Sequence, residues 1–446
     1  MDPSIVEQTL RELEQEQQEE EVEVSFKENA PHLYDMIVID KSLESTSHTV
    51  QWLDRREECV EDSRFTTEYF LMGTHFENDD NEGEGNSQAT GMTTDSVKIC
   101  SVNLPKLDKG VEFGPNETEL QKRMSKIQVH TSIEHPGDVS KARAMIGDST
   151  KVASFTNSGD INLYDFKLMK MTLALKGHGQ YGFGLNWIPN LDGSPSHKLV
   201  TGSMDSTVKL WDINQAPDQE GAITALSTLT NHTKEVNGID VLLTQPDIFA
   251  SVSDDSTLAL WDSRELSTPT MQIKASENGL NAVAFSYYDD NCILTGGQDS
   301  GEIWLWDRRK LIEMYPISSF YGHDRAVTNI TFSPIQKNIF CSGALIPDGQ
   351  ETSAGVNNGV IIWDILKIGE EVAHNADEES TLSPCLVMTH DGHDLNVDDI
   401  SWSPYDQRTL ATVDGNKSIN IFQISEELFN RPYHYEKEFE DMEIAA

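Results

Sequence analysis

The sequence is poor in cysteine and has no long apolar run. Its cysteines are five, an odd number, and none forms a CxxC pair. This pattern argues against a disulfide framework or a thiolate metal site and favours reduced thiols in a cytosolic or nuclear compartment. No stretch of about 18 apolar residues occurs, so no membrane-spanning helix is expected. The first residues, MDPSIVEQTLRELEQ, lack the apolar core of a signal peptide, and none is predicted.

Basic residues are also scarce. The chain has 33 Lys and Arg against 75 Asp and Glu, which gives a formal net charge of −42. Such a surface repels nucleic-acid phosphates and anionic membranes and attracts basic partners. We therefore predict no direct binding to nucleic acid or to a membrane. The alternative interpretation is that the acidity only aids solubility.

Motifs of catalysis and of metal or nucleotide binding are absent from the sequence. There is no GxSxG, no P-loop, no HExxH and no GxGxxG after a predicted strand. The run Gly182-Phe183-Gly184 is too short to count as a phosphate loop. We therefore predict a non-catalytic chain that holds no metal ion and no cofactor.

What the sequence does contain is an internal repeat. Segments of alternating apolar residues end in an aromatic-Asp pair, as in TVKLWD, TLALWD and EIWLWD. The spacing fits a repeat of about 40–45 residues with insertions. Gly-His or Asn-His pairs precede these segments, and an Asp typical of a tight turn lies between. The recurring residues are His178, His232, His323 and His393, then Asp205, Asp255 and Asp299, then Trp211, Trp261, Trp306 and Trp363.

Three features repeated in the same order predict an all-β, seven-bladed WD40 β-propeller, in which each blade is a four-stranded antiparallel sheet. His178, Asp205 and Trp211 can hydrogen-bond in a row, so we interpret them as a structural network rather than a catalytic pair. Six repeats cover about 130–424. The seventh blade is predicted from strand-like runs at 48–53, 67–75 and 97–104, completed by a strand from the end of the chain.

The segments outside the repeat predict an N-terminal α-helix and a short C-terminal helix. Val6, Leu10 and Leu13 have helical spacing in an acidic context. Two stretches inside the propeller are rich in acidic residues and poor in apolar ones, as is typical of loops. The predicted divisions are an acidic helical segment at 1–40, the propeller at 41–424 with a disordered acidic loop at 76–96 and an acidic loop at 370–384, and a helix with an acidic tail at 425–446.

Four stretches carry a family resemblance. They are FKENAPHLYD (26–35), HPGDVSKARAM (135–145), WDILKIGEE (363–371) with its acidic loop, and GHDLNVDDISWSPYD (392–406). They resemble the histone-binding WD-repeat proteins of the retinoblastoma-binding p46/p48 type, and the resemblance spans about 26–430. That family includes the second subunit of the type B histone acetyltransferase, which we favour, and the small subunit of chromatin assembly factor.

The resemblance implies two binding sites. In the family, a groove on the side of the propeller binds the first helix of histone H4, and the face near the channel takes the histone H3 tail. Because this face has fewer carboxylates than in family members that bind H3 tightly, strong binding of the H3 tail is not expected. The implied H4 groove consists of Phe26, Leu33, Tyr34, Ile37, Asp377, Glu378, Glu379, Leu428 and Phe429. The possible H3-tail face consists of Asp138, Tyr181, Phe183 and Asn237.

The resemblance further implies a histone-binding subunit of a histone acetyltransferase or chromatin-assembly complex that presents histone H4 to a catalytic partner. The implied partners are histone H4, H3–H4, the catalytic type B acetyltransferase subunit and chromatin assembly factor subunits, in the nucleus and cytoplasm. Two alternatives stay open. One is an acidic WD-repeat chaperone of ribosome assembly, against which the KIGEE-acidic loop argues. The other is a generic WD40 scaffold, against which the lack of a basic cluster argues.

Overall fold

Apolar residues that alternate with polar ones fold most of the chain into short β-strands. In the computed structural model, the described residues are 33–41, 43, 45–75, 94–106, 125–219, 221–299, 301–345, 359–369 and 383–429. They make two compact units. One combines both chain ends, Met1–Ile37 and Phe422–Ala446, and the other is Val38–Ile421.

The strands form seven sheets, which confirms the seven-bladed β-propeller. In each blade, strands that follow each other along the chain pair side by side, starting from the innermost. Blade 1 is β2 (Val50–Glu58), β3 (Phe65–Gly73), β4 (Ser96–Pro105) and β5 (Gln128–Glu134); blade 2 is β6 (Val139–Met145), β7 (Asp148–Thr156), β8 (Ile161–Asp165) and β9 (Lys170–Leu175), with the short β13 (Ala222–Ile223) parallel to β9; blade 3 is β10 (Gly184–Ile188), β11 (Lys198–Gly202), β12 (Val208–Asp212) and β14 (Ser227–Leu229).

The remaining four blades follow the same order, and the last takes a strand from near the start of the chain. Short 3-10 helices, Arg308–Glu313 and Ile365–Lys367, follow two of the strands, and helix α1 (Glu426–Phe429) follows the last. Blade 4 is β15 (Val236–Val241), β16 (Ile248–Ser253), β17 (Thr257–Asp262) and β18 (Met271–Lys274); blade 5 is β19 (Leu280–Phe285), β20 (Cys292–Gly297), β21 (Ile303–Asp307) and β22 (Ser318–Phe320); blade 6 is β23 (Val327–Phe332), β24 (Ile339–Ala344), β25 (Val360–Asp364) and β26 (Leu386–His390); blade 7 is β27 (Val397–Trp402), β28 (Thr409–Asp414), β29 (Ile419–Ile424) and β1 (Tyr34–Asp40).

Two sequence predictions about the ends of the chain are wrong. The blade built from 48–104 takes no strand from the chain's end, because β5 continues the same meander and pairs with β4. The helical segment was predicted to reach residue 40, but Tyr34–Asp40 is strand β1. Its core, Met36-Ile37-Val38-Ile39, is rich in β-branched residues, which favour strands. The propeller therefore begins before residue 41, and the helix predicted within 1–32 lies outside the described residues.

The predicted His-Asp-Trp network is confirmed, with one additional member. In blade 3, His178 Nδ1 lies 2.9 Å from Asp205 Oδ2, and His178 Nε2 lies 2.8 Å from Thr201 Oγ1. Trp211 Nε1 donates to the same hydroxyl at 2.8 Å. Burial lowers the pKa of His178 despite the nearby carboxylate, so the ring is neutral at pH 7. Blade 4 repeats this arrangement, which marks it as structural.

Asp399 links blade 7 to blades 1 and 2. It is completely buried, and its carboxylate accepts hydrogen bonds from Val50 N at 3.0 Å and from Thr49 Oγ1 at 3.1 Å. Lys141 Nζ and Arg143 Nη1 of β6 each lie 2.8 Å from it. The innermost strands of all seven blades surround a central channel of about 610 Å³. Asp399 therefore closes the ring where the last blade meets the first.

Candidate functional site

The terminal unit brings together residues from the two ends of the chain. The Leu33 carbonyl accepts a hydrogen bond from Ser425 N at 2.8 Å. The Tyr34 ring packs edge-on against Phe422, with ring centroids 5.6 Å apart, and it is buried. Asp35 Oδ2 accepts from Glu426 N at 3.1 Å, at the start of α1. This helix carries two of the predicted H4-groove residues.

Five of the nine predicted H4-groove residues lie in this unit. Leu428 and Phe429 are half-buried on α1, and Leu33 and Ile37 are half-buried near it in the sequence of β1. The prediction assumed a helix there. In a strand, successive side chains point to opposite faces, so Tyr34 and Ile37 point away from each other. Phe26, Asp377, Glu378 and Glu379 lie outside the described residues, and the groove as a whole stays a prediction.

An exposed aromatic pair lies at one mouth of the channel. Tyr181 and Phe183, both predicted for the H3-tail face, pack edge-on with ring centroids 5.7 Å apart. Their exposed fractions, 38% and 41%, are high for aromatic side chains in an ordered loop. Phe183 also lines the channel. These two rings therefore offer an accessible apolar platform beside β10.

Asn237 lies in the same channel but is fully engaged. Its amide Nδ2 donates to the Leu280 carbonyl at 3.0 Å, to Asn281 Oδ1 at 3.1 Å and to the Asp254 carboxylate. Asp254 lines the channel and was not predicted from the sequence. It directly precedes Asp255, the turn aspartate of blade 4, and this adjacent pair of acids was the available signal.

Asp138 lies in a cluster of two histidines and two carboxylates. Its Oδ1 is 3.0 Å from His75 Nδ1, and Asp398 Oδ2 is 2.8 Å from His48 Nδ1. The two imidazole rings have centroids 5.0 Å apart. Burial disfavours protonation of His48, but the hydrogen bond and the charge of Asp398 outweigh it and raise the pKa of His48. The prediction missed His48, His75 and Asp398, which the repeat pattern does not mark.

The chemistry of these groups suits binding rather than catalysis. The buried histidines of the blade networks are held by serine or threonine hydroxyls and by turn aspartates, so they are committed to structure. Within the described ranges, no group of three or more His, Cys, Asp or Glu side chains could hold a metal ion. The helices of the described part are all too short or too polar to span a bilayer.

Seven WD-type blades around a channel define a WD-repeat β-propeller, and comparisons with known proteins agree. Residues 170–212 and 223–262 match the family model of the WD domain, G-beta repeat. Residues 21–106 match the family model of the histone-binding protein RBBP4, which is also described as a component of the CAF1 complex. The second match covers β1 to β4 and confirms the resemblance identified from the sequence.

Two individual proteins are similar over most of their length. Histone acetyltransferase type B subunit 2 of Debaryomyces hansenii is 27% identical over 426 residues, which is 94% of each chain. A chain in the crystal structure of the mitotic checkpoint complex superposes with a TM-score of 0.57, over 89% of this chain and 96% of that one. Its identity is 15%, so this likeness concerns the fold alone.

Proposed function

We propose that this chain is a non-catalytic histone-binding subunit that holds the first helix of histone H4 for the catalytic subunit of a type B acetyltransferase. The observation that carries the proposal is the match of residues 21–106 to a histone-binding family model. The similarity to a type B acetyltransferase subunit over 94% of both chains supports the choice of complex. Work in both nucleus and cytoplasm belongs to the same proposal.

The charge and the terminal unit support this ligand. A net charge of −42 attracts a strongly basic protein such as a histone. Leu428 and Phe429 are only half-buried on a helix that hydrogen bonds fix beside Leu33. An amphipathic basic helix would place its apolar side on these residues and its Lys and Arg near the acidic loop at 370–384.

The direct test is a calorimetric titration of the full chain with a peptide of the first helix of histone H4. Micromolar or tighter binding at moderate salt is expected. A peptide of the same composition in scrambled order is the control, because it keeps the charge and destroys the apolar face. If both peptides bind equally, the interaction is only electrostatic and the proposed groove is wrong.

The acidic loop is tested by neutralising Asp377→Asn, Glu378→Gln and Glu379→Gln together. We expect weaker H4 binding and a shallower dependence of the affinity on salt, because fewer charges attract the peptide. The matched control neutralises three other loop acids, Asp79→Asn, Asp80→Asn and Glu82→Gln. Equal losses in both triple variants would mean that only the total charge matters.

The apolar side is tested with Leu428→Ala and Phe429→Ala. Each is expected to weaken H4 binding by about 1–3 kcal/mol, the usual cost of losing an apolar anchor. Leu168→Ala, which removes an exposed leucine on blade 2, is the control and should leave binding unchanged. An unchanged affinity in both α1 variants would remove this helix from the site.

A further inference from the structure

Blade 5 carries a run of exposed apolar side chains that the proposed function does not use. It follows the 3-10 helix Arg308–Glu313 and leads into β22. Ile312 is 72% exposed, Met314 57%, Tyr315 81% and Ile317 58%. Single exposed apolar residues are ordinary, whereas four within six positions are characteristic of an interaction site.

This run is held in a fixed conformation. Leu311 anchors it, because its side chain is almost completely buried in the core between blades 4 and 5. Asp307 caps the 3-10 helix by accepting from Arg309 N at 2.9 Å. Ile317 N donates to the Leu305 carbonyl at 2.7 Å, which returns the chain to the sheet. The apolar side chains are thus presented on an ordered support, so little entropy is lost when a partner binds.

The surface continues onto the neighbouring turn. In a meander, the β19–β20 turn and the β21–β22 connection lie at the same end of the sheet, and Arg308 N donates to the Asn291 carbonyl at 2.7 Å between them. Tyr287 and Tyr288 of that turn are 39% and 51% exposed. The Tyr288 hydroxyl donates to the Pro334 carbonyl of blade 6 at 2.7 Å. One end of blade 5 therefore presents three tyrosines, a methionine and two isoleucines.

The charge beside this surface is unusual for the chain. Arg308, Arg309 and Lys310 are the only run of three consecutive basic residues in the sequence. Arg309 is held by a bidentate pair with Asp307, and its side chain remains 70% exposed. Tyrosine, methionine and arginine are the residue types enriched at the centres of protein interfaces. A histone, which is basic, is a poor match to this surface, and a segment with carboxylates is a good one.

We propose that this end of blade 5, which we call the blade-5 surface (Arg308–Ile317 with Tyr287 and Tyr288), docks a second protein through a segment of apolar side chains flanked by carboxylates. The inference rests on the proposed function in one respect: the occupant is the catalytic acetyltransferase subunit rather than the histone. The blade-5 surface shares no residue with the predicted H4 groove, so one chain has separate sites for the enzyme and for its substrate.

The test uses the full chain and the purified catalytic type B acetyltransferase subunit of the same organism. Tyr315→Ser with Ile317→Ser is expected to weaken their binding at least tenfold. The matched control is Leu168→Ser with Met171→Ser, which removes two exposed apolar side chains from blade 2 and should leave the affinity unchanged. Both double variants should bind the H4 peptide as the wild type does. Equal affinity in all three proteins, or no binding by the wild type, overturns the proposal.

A charge reversal tests the carboxylates of the partner. Lys310→Glu is expected to weaken binding of the catalytic subunit several-fold at low salt and less at high salt, since the effect is electrostatic. Lys170→Glu, an exposed lysine of blade 2, is the control. If the blade-5 variants change only self-association in sedimentation, the surface joins two copies of this chain and the proposal is wrong. Loss of H4 binding with intact docking would contradict the proposed function alone.

Discussion

Thr201 has a central place in the network of blade 3, because one hydroxyl serves two rings. His178 and Trp211 both hydrogen-bond to it, and its side chain has no exposed surface. The sequence predicted the His, the Asp and the Trp, which have distinctive spacing, but missed the threonine. Ser251 stands in the same place in blade 4, again ten residues before the Trp. A small hydroxyl residue is too common in strands to be noticed without the register.

Thr201→Val is expected to destabilise the protein by about 1–3 kcal/mol, since it leaves two buried ring nitrogens without their partner. Thr412→Val in blade 7 is the internal comparison. Thr412 bonds His393 at 2.7 Å, but the Trp position of that blade is Phe422, which has no ring N–H. Urea unfolding should therefore show a smaller loss for Thr412→Val. Equal losses would contradict the double role of Thr201.

Asp240 lies in the channel wall, where burial raises its pKa to about 7 although the N–H groups of Phe285 and Val241 favour the charged form. A carboxyl with a raised folded pKa holds its proton while the unfolded chain has lost it. Stability therefore falls as pH rises from about 4 to 7 and stays reduced above. Asp240→Asn should raise the free energy of unfolding by about 1–3 kcal/mol at pH 8 and less at pH 5.5. A gain that is equal at both pH values would exclude this cause.

Among the elements, those that end in the repeated aromatic-Asp pair were predictable and those outside the repeat were not. TVKLWD, TLALWD and EIWLWD alternate as strands do, and they form β12, β17 and β21. Strand β1 was misread because YDMIVID follows an acidic segment with helical spacing. Its β-branched residues were the better signal. Strand β13 has only two residues, too few to show any period.

β13 nevertheless contributes to the core. Ile223 is 1% exposed and packs in one cluster with Leu175 and Trp211. Ile223→Ala is expected to cost about 2–4 kcal/mol, because it leaves a cavity between blades 2 and 3. Leu226→Ala, three residues further on and 50% exposed, is the control and should change the free energy of unfolding little. Similar losses for both variants would show that β13 is not part of the packed core.

At the scale of the whole molecule, seven blades were predictable because the repeat recurs, but the closure of the ring was not. Asp399, Lys141 and Arg143 carry no repeated pattern, and they meet only because the first and last blades are neighbours in space. The same holds for the candidate groove, where Tyr34 meets Phe422 from the other end of the chain. Local periodicity predicts strands, whereas contacts between distant segments depend on the completed fold.

Asp399→Asn is expected to lower the free energy of unfolding by about 3–5 kcal/mol at pH 7, because it leaves two cations without their buried partner. Burial opposes the charge of Asp399, but Arg143 and Lys141 outweigh it and lower its pKa to about 2. The stabilisation is therefore complete above the unfolded pKa and is lost as pH falls towards 2. Asp394→Asn, which breaks an exposed pair with Lys41, is the control and should change stability little.

The hydrogen bond between Asp399 and Val50 joins residues 349 positions apart. A ribosome adding about 5–20 residues per second makes blade 1 first and supplies its second neighbour only near the end of synthesis. Until then, one side of the first blade has no partner, and each new blade can only extend an open arc. The growing chain therefore depends on protection from aggregation for most of its translation, and this need ends with the arrival of a single carboxylate.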